Sequence, residues 1–362
     1  MTTRTGIDKD VLERSPFFSN IDSRDLEVIG LVMTKRELRR DEVLFENGQR
    51  GDALALLVSG ELGVSTTDRD EYVVEKYEVV GEMTSIDPAP RSAKVYAREN
   101  SVVGTLDRGA LLMLRESSPS AYTAIIRAIA ARLTRCLQWV NRKVQSRYES
   151  ASAAVDIPRA SSDENASKKF EVRIDYRELG CLDDFSTTEL EMLAMNSTCR
   201  KYEPGAVLCR EAADADRCFI IADGEVEIRK DVAGHTVILG SVKKGALLGQ
   251  AALIDDSPRT ATLAARSTVV TIEVGTDTFH KLLAQATPVG IRFQELIAIS
   301  AVRQLRQANE RLGQIPTFRD IDAESKRPEG EFQREDTVKR FYDQVLKSTG
   351  ISEIELESVS FA

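Results

Sequence analysis

GEMTSIDPAPRSAKV (residues 81–95) and GQAALIDDSPRTATL (residues 249–263) are two versions of one phrase. Each opens on a glycine and continues with a short run able to form one helical turn. Each then bends through an acidic or proline-bearing stretch to Pro-Arg followed by a hydroxyl residue: Pro90-Arg91-Ser92 and Pro258-Arg259-Thr260. An arginine set straight after a proline, in a segment otherwise small and apolar, calls for an anionic neighbour.

Working outward, the similarity extends through most of the chain, and such a repeat decides the architecture. PFFSNIDSRDLEVI (16–29) aligns with GCLDDFSTTELEML (180–193), an offset of 164 residues. The same offset places LFENGQRGDALALLVSGELGV (44–64) on LCREAADADRCFIIADGEVEI (208–228), Gly60 on Gly224. Between Arg91 and Arg259 the offset is 168, so the second copy holds four extra residues between Gly224 and Gly249. That stretch, EIRKDVAGHTVILGSV, has Ala-Gly between two alternating apolar runs and reads as a longer hairpin tip, with His235 as a loop residue.

Within each copy, short runs of Val, Ile, Leu and Phe are punctuated by Gly, Asp and Pro, the pattern of a β-sandwich or barrel. Helical spacing follows: Tyr122, Ile125, Ile126, Ile129, Leu133, Leu137 and Val140 after the first copy, Phe293, Leu296, Ile297 and Leu305 after the second. The expected fold is mainly β with helices (α+β), two β-rolls each followed by a long C-terminal helix. The boundaries fall at residues 1–145 for the first domain, 146–169 for a Ser/Ala-rich charged linker, and 170–312 for the second domain. Residues 313–362 form an acidic tail whose Phe332, Val338, Phe341, Val345 and Leu346 suit a short amphipathic helix.

Composition bounds the function. The 362 residues are 42% hydrophobic and 30% charged, the profile of a soluble globular protein with more than one core. The polar start MTTRTGIDKD is no signal peptide, and no apolar run approaches membrane-spanning length, so a cytoplasmic location is expected. Five cysteines without CxxC spacing and two histidines leave neither a metal site nor a disulfide framework, only reduced thiols. A net charge of −9 counts against nucleic acid as a partner.

The repeated phrase has a physical reading. Gly81 and Gly249 let the backbone turn sharply and approach a ligand closely. The next residues, from Glu82-Met83 and Gln250-Ala251, form a helical turn whose free N–H groups point at an anion. The Arg91 and Arg259 guanidiniums offer forks matched to two phosphate oxygens, with the hydroxyls of Ser92 and Thr260 alongside. Glu82 adds a carboxylate beside the anion, which makes sense where the ligand also carries a hydroxyl donor such as a ribose 2′-OH.

This pattern, G-E-x(8)-R-[ST]-A after a strand-ending Gly60-Glu61 or Gly224-Glu225, resembles the phosphate-binding cassette of the cyclic nucleotide-binding domain family. That family includes the catabolite activator protein and the regulatory subunits of cAMP-dependent protein kinase. The resemblance covers roughly residues 14–142 and 176–312. It implies that Arg91 and Arg259 grip a cyclic phosphate, that Glu82 takes the ribose 2′-OH, and that amides near Met83 and Ala251 bind the exocyclic oxygens. The implied ligand is cAMP or cGMP, since Ser92 and Thr260 suit either purine.

The copies depart from the family in different places. Gln250 stands where the acid belongs; losing charge assistance there costs about 1 kcal/mol, roughly five- to tenfold in affinity. The first copy has Thr84-Ser85 where Ala-Leu is usual, and Lys94, near the phosphate or facing solvent, where a small hydroxyl residue is usual. Trp139 reads either as a lid over the purine or as core.

No catalytic constellation is present: no Ser-His-Asp, metal-ligand or Walker-type pattern. The resulting expectation is a non-catalytic receptor with two cyclic-nucleotide sites, signalling allosterically to an unidentified effector protein, with a homodimer left open. A scaffold with non-binding sites is the alternative. A transcriptional regulator would need a basic helix-turn-helix, whereas residues 313–362 hold eleven acidic and seven basic residues. A kinase regulatory subunit carries a basic inhibitor segment ahead of both domains, where this sequence offers about fourteen residues.

Overall fold

The computed structural model describes residues 6–65, 71–151, 176, 182–232 and 235–312. The described residues divide into two compact units, one of residues up to 140 together with 297–312, the other of residues 141–296. Of the expected linker, residues up to Ala151 are helical; its remainder lies outside the described residues, as do Cys181 and the whole tail from 313.

The first unit opens with helices α1 (Lys9–Glu13) and α2 (Ser23–Val32). Asp22 caps α2, accepting the Asp25 amide at 2.9 Å. Ten strands follow: β1 (Thr34–Leu38), β2 (Val43–Phe45), β3 (Arg50–Gly51), β4 (Ala53–Ser59), β5 (Leu62–Ser65), β6 (Glu71–Val74), β7 (Val79–Val80), β8 (Ala89–Pro90), β9 (Lys94–Ala97) and β10 (Ser101–Asp107). They form two four-stranded sheets, ordered β1-β10-β4-β7 and β2-β9-β5-β6, while β3 pairs with β8. Leu57, Leu62, Val64, Val95 and Val103 are buried together in one apolar cluster. The turn α3 (Glu82–Ile86) lies between β7 and β8; α4 (Arg108–Ser117) and α5 (Pro119–Ala151) follow β10.

The second unit repeats the plan with α6 (Thr187–Met195), then β11 (Thr198–Tyr202), β12 (Val207–Cys209), β13 (Arg217–Asp223), β14 (Glu225–Val232), β15 (His235–Lys243), β16 (Leu247–Leu248), α7 (Gln250–Ile254), β17 (Thr262–Ala265), β18 (Val269–Gly275) and α8 (Thr276–Ala284). Its sheets are ordered β11-β18-β13-β16 and β12-β17-β14-β15, the first unit's orders strand for strand. Ser186, 164 residues after Asp22, caps α6 in a capping box with Glu189. The helix α9 (Pro288–Leu312) ends the described chain.

The four extra residues do lengthen a hairpin. β14 and β15 pair from Glu225↔Lys243 to Val232↔His235, with a register shift between Ile228 and Arg229, whereas among the described residues β5 and β6 pair from Leu62↔Val74 to Ser65↔Glu71. His235 therefore opens a strand rather than sitting in the loop. The apolar spacing of the long helices is realised as burial: Tyr122, Ile125, Ile126, Ile129, Leu133 and Val140 on α5, and Phe293, Leu296, Ile297 and Leu305 on α9. Leu137 is only half-buried. The short helices α4 and α8, which precede the long ones, were not expected from the sequence.

Candidate functional site

In both units the repeated phrase folds around its arginine. Gly81 (φ 81°) and Gly249 (φ 77°) are the N-cap residues of α3 and α7, and neither turn has a side-chain cap. Glycine is required twice over. The φ lies in the left-handed region, and a Cβ would fall 2.6 Å from Nη1 of Arg91 or of Arg259. The arginine backbones are clasped in the same way in both copies. Arg91 N donates to Gln49 O at 2.8 Å and its carbonyl accepts from Gly48 N at 2.8 Å. Arg259 N donates to Ala213 O at 2.9 Å and its carbonyl accepts from Ala212 N at 2.8 Å. Residues 48–49 and 212–213 are related by the repeat offset of 164.

In the first unit, Gly81, Glu82, Met83, Arg91 and Ser92 line one cavity of about 80 Å³. Arg91 is buried over the Phe45 ring, its Cζ 3.7 Å from the centroid. Its Nη1 donates to Gly81 O at 3.2 Å and also to Thr84 Oγ1. Burial lowers its pKa from the ordinary arginine value, against the opposing pull of Asp52 and Glu82. Tyr72, Arg132, Cys136 and Leu305 complete the walls. Burial pushes the Cys136 thiol up to about 11 and raises the Tyr72 hydroxyl as well.

Glu82 is buried at the start of α3, and its Oε1 lies 3.4 Å from Nε of Arg132 on α5. Arg132 Nη2 also donates to Val79 O at 3.0 Å. Trp139, two turns further on, is buried but is not among the residues lining the cavity. Lys94 lies on β9 with its Nζ 5.9 Å from the Tyr96 ring centroid.

The second unit treats its arginine differently. Arg259 Nη1 donates to Gly249 O at 2.9 Å, as in the first unit, but Nη2 donates to Arg217 O at 2.6 Å and meets Asp216 Oδ1 at 3.3 Å. Its Nε is buried and, among the described residues, has no hydrogen-bond partner. Asp216 also accepts from Arg217 Nε at 2.8 Å, and Arg217 Nη1 donates to buried Glu273 at 2.7 Å. Burial works against the Asp216 carboxylate, yet Arg217 and Arg259 outweigh it and hold its pKa below the usual range. Gln250 is buried, Ala251 half-buried and Thr260 exposed. A cleft of about 620 Å³ lies beside Asp216, Arg217, Arg200 and Glu273, without Gln250 or Arg259 in its lining.

The sequence did not single out Phe45, Arg132, Asp216 or Arg217. Asp216 was detectable, because Asp52 stands at the matching position of the first copy. Phe45 was not, since the matching residue is Cys209, and the ring contacting Arg259 is Phe219, from a different strand. The four described cysteines are free. Among the described residues no group of three or more His, Cys, Asp or Glu is placed to hold a metal ion, and no helix is long and apolar enough to cross a membrane.

Comparison with known proteins agrees with this layout. Residues 35–118 and 199–286 match the model of the cyclic nucleotide-binding domain. The cAMP-dependent protein kinase regulatory subunit of Yarrowia lipolytica is 31% identical over 107 residues, 30% of this chain and 28% of that protein. The subunit of the same name from Candida albicans is 21% identical over 278 residues, 77% of this chain and 50% of that protein. The chain thus spans half or less of the length of these relatives. The solved regulatory domain of Toxoplasma gondii PKA with cAMP is 19% identical, with 77% of this chain and 91% of that one covered at a TM-score of 0.28. Each copy of the repeat therefore contains one cyclic nucleotide-binding domain, and the chain carries two.

Proposed function

We propose that the chain is a non-catalytic cytoplasmic receptor for a 3′,5′-cyclic purine nucleotide, cAMP before cGMP, which passes occupancy allosterically to an effector protein. One observation carries the reading. In both units the arginine of the cassette is buried and donates from Nη1 to the carbonyl of a positive-φ N-cap glycine. That contact holds the guanidinium at the start of a helical turn, whose first amides have no acceptor within the helix, an arrangement suited to a phosphate monoanion. Glu82 in the first unit supplies the acceptor for a ribose hydroxyl. The relatives named as cAMP-dependent support cAMP. In this reading the domains run over 1–145 and 170–312, joined by 146–169, and the tail is available for output.

A second reading, two domains that no longer bind, is favoured by the 80 Å³ cavity, well below the roughly 300–1,000 Å³ of common ligand sites, and by Asp216 resting on Arg259. Calorimetric titration of the purified chain with cAMP and cGMP separates the two. Heat and a thermal shift at micromolar nucleotide support the receptor; no response to either nucleotide at millimolar concentration leaves the second reading standing.

A further inference from the structure

The two cassettes hold their arginines by different atoms. In the second, Arg259 is engaged at Nη1 and Nη2, with a carboxylate on the latter, and its Nε is sealed from solvent. In the first, only Nη1 of Arg91 is engaged, by the Gly81 carbonyl and the Thr84 hydroxyl. Among the described residues its Nε and Nη2 make no hydrogen bond, and the side chain lines the cavity. Thr84 is itself fixed: it is 4% exposed, and its hydroxyl donates to Gly81 O at 3.1 Å, which turns the oxygen's lone pairs toward the guanidinium. Ala252 stands at the matching place in α7 and can offer no such acceptor. The Phe45 ring beneath the guanidinium restricts it to one plane, and Gly51 leaves room for Nε, where a Cβ would fall only 2.0 Å away.

We propose that Thr84 is the positioning residue of the first cassette: it anchors Arg91 by Nη1 alone and so presents the Nε/Nη2 edge for two oxygens of the ligand's phosphate. The proposal rests on the cyclic-nucleotide reading. An arginine fork is effective only when both donors face their acceptors in its plane. A neutral hydroxyl anchors without competing for the charge, whereas Asp216 at the second cassette takes a share of it. The side chain at this position thus sets how ready the arginine is for phosphate, independently of the residue that meets the ribose.

The test uses the full chain carrying Arg259→Ala, so that titration reports the first site. Thr84→Val, close in shape and lacking the hydroxyl, should weaken cAMP binding by about tenfold, the scale of one hydrogen bond to a charged group. Thr84→Ser should restore most of it. The specific readout is the affinity ratio for the two diastereomeric adenosine 3′,5′-cyclic phosphorothioates, which place the weakly accepting sulfur at one exocyclic position or the other. A fixed guanidinium discriminates between them. The ratio should move toward one in Thr84→Val and persist in Thr84→Ser, an outcome that loss of packing alone would not give. Thr84→Ala provides the same comparison if the valine variant unfolds. Unchanged affinity and ratio in a folded Thr84 variant, with binding still abolished by Arg91→Ala, would overturn the role of Thr84 alone. Binding indifferent to Arg91→Ala as well would overturn the assignment of this cassette to the phosphate, and no binding of cAMP or cGMP by the Arg259→Ala chain would overturn the cyclic-nucleotide reading of the first domain with it.

Discussion

Arg132 on α5 meets Glu82 at the first residue of α3, Nε to Oε1 at 3.4 Å, with both side chains 12% exposed. The carboxylate expected to take a ribose hydroxyl is thus also the one that ties the cassette to the long helix. In the proposed reading, a ligand that draws on Glu82 would alter what Arg132 is bonded to and so reach α5. The second cassette has the neutral Gln250 in place of Glu82, so it cannot make the same ion pair.

This pair yields the first prediction. Removing one partner of a buried ion pair leaves the other charge uncompensated, at a cost of roughly 3 kcal/mol, whereas removing both is far less damaging. Urea denaturation should find Arg132→Met and Glu82→Gln each strongly destabilising. The double variant should lie well above the sum of the two losses. Strict additivity would show that the two side chains do not interact in solution.

Asp216 gives a prediction in pH. Its folded pKa lies below the ordinary aspartate value, so the stability it contributes is present above the unfolded pKa near 4 and is lost as pH falls through the folded one. Its side chain is 57% exposed, which limits the contribution to about 1 kcal/mol or less. Asp216→Asn should therefore be slightly less stable than the parent at about pH 7 and about pH 5. The gap should close between roughly pH 4 and pH 2. A gap that widens with acid would mean the carboxylate is not held ionised by Arg217 and Arg259.

The parts of this arrangement that the sequence made legible are those fixed by local chemistry or by repetition. Asp22 and Ser186 are cap residues by type, and they recur at the repeat offset. Gly81 and Gly249 need a positive φ, and the extra residues before Gly249 had to extend a hairpin. The illegible parts depend on which side chains meet across the fold. Nothing in the local sequence of α5 marks Arg132, on a helix defined by its apolar stripe, as the partner of a residue fifty positions earlier. Thr84 was visible as a departure from the family, but its bond to Arg91 exists only once the turn closes on the arginine.

The arginines themselves can be tested by stoichiometry. Arg91→Lys and Arg259→Lys keep a positive charge but lose the planar fork, and each should weaken one of two sites by about 2–5 kcal/mol. Calorimetry should then count one tight site in either variant and none in the double. Circular dichroism should confirm that each fold is intact. Two full-affinity sites in Arg259→Lys would remove the second cassette from the binding machinery.

Gln250→Glu restores the family's acid in the second cassette, and two effects oppose each other. A carboxylate accepting the ribose hydroxyl should tighten binding there by roughly five- to tenfold. However, Gln250 is only 2% exposed, and among the described residues no guanidinium is paired at that position as Arg132 is with Glu82. A new charge buried without a partner is costly, so the ligand-free variant should be less stable by about 1–3 kcal/mol. The expected signature is a lower melting temperature without nucleotide and a larger upward shift on adding it, because tighter binding to the native state alone raises stability further. A variant as stable as the parent but no tighter in binding would mean that position 250 does not face the ribose.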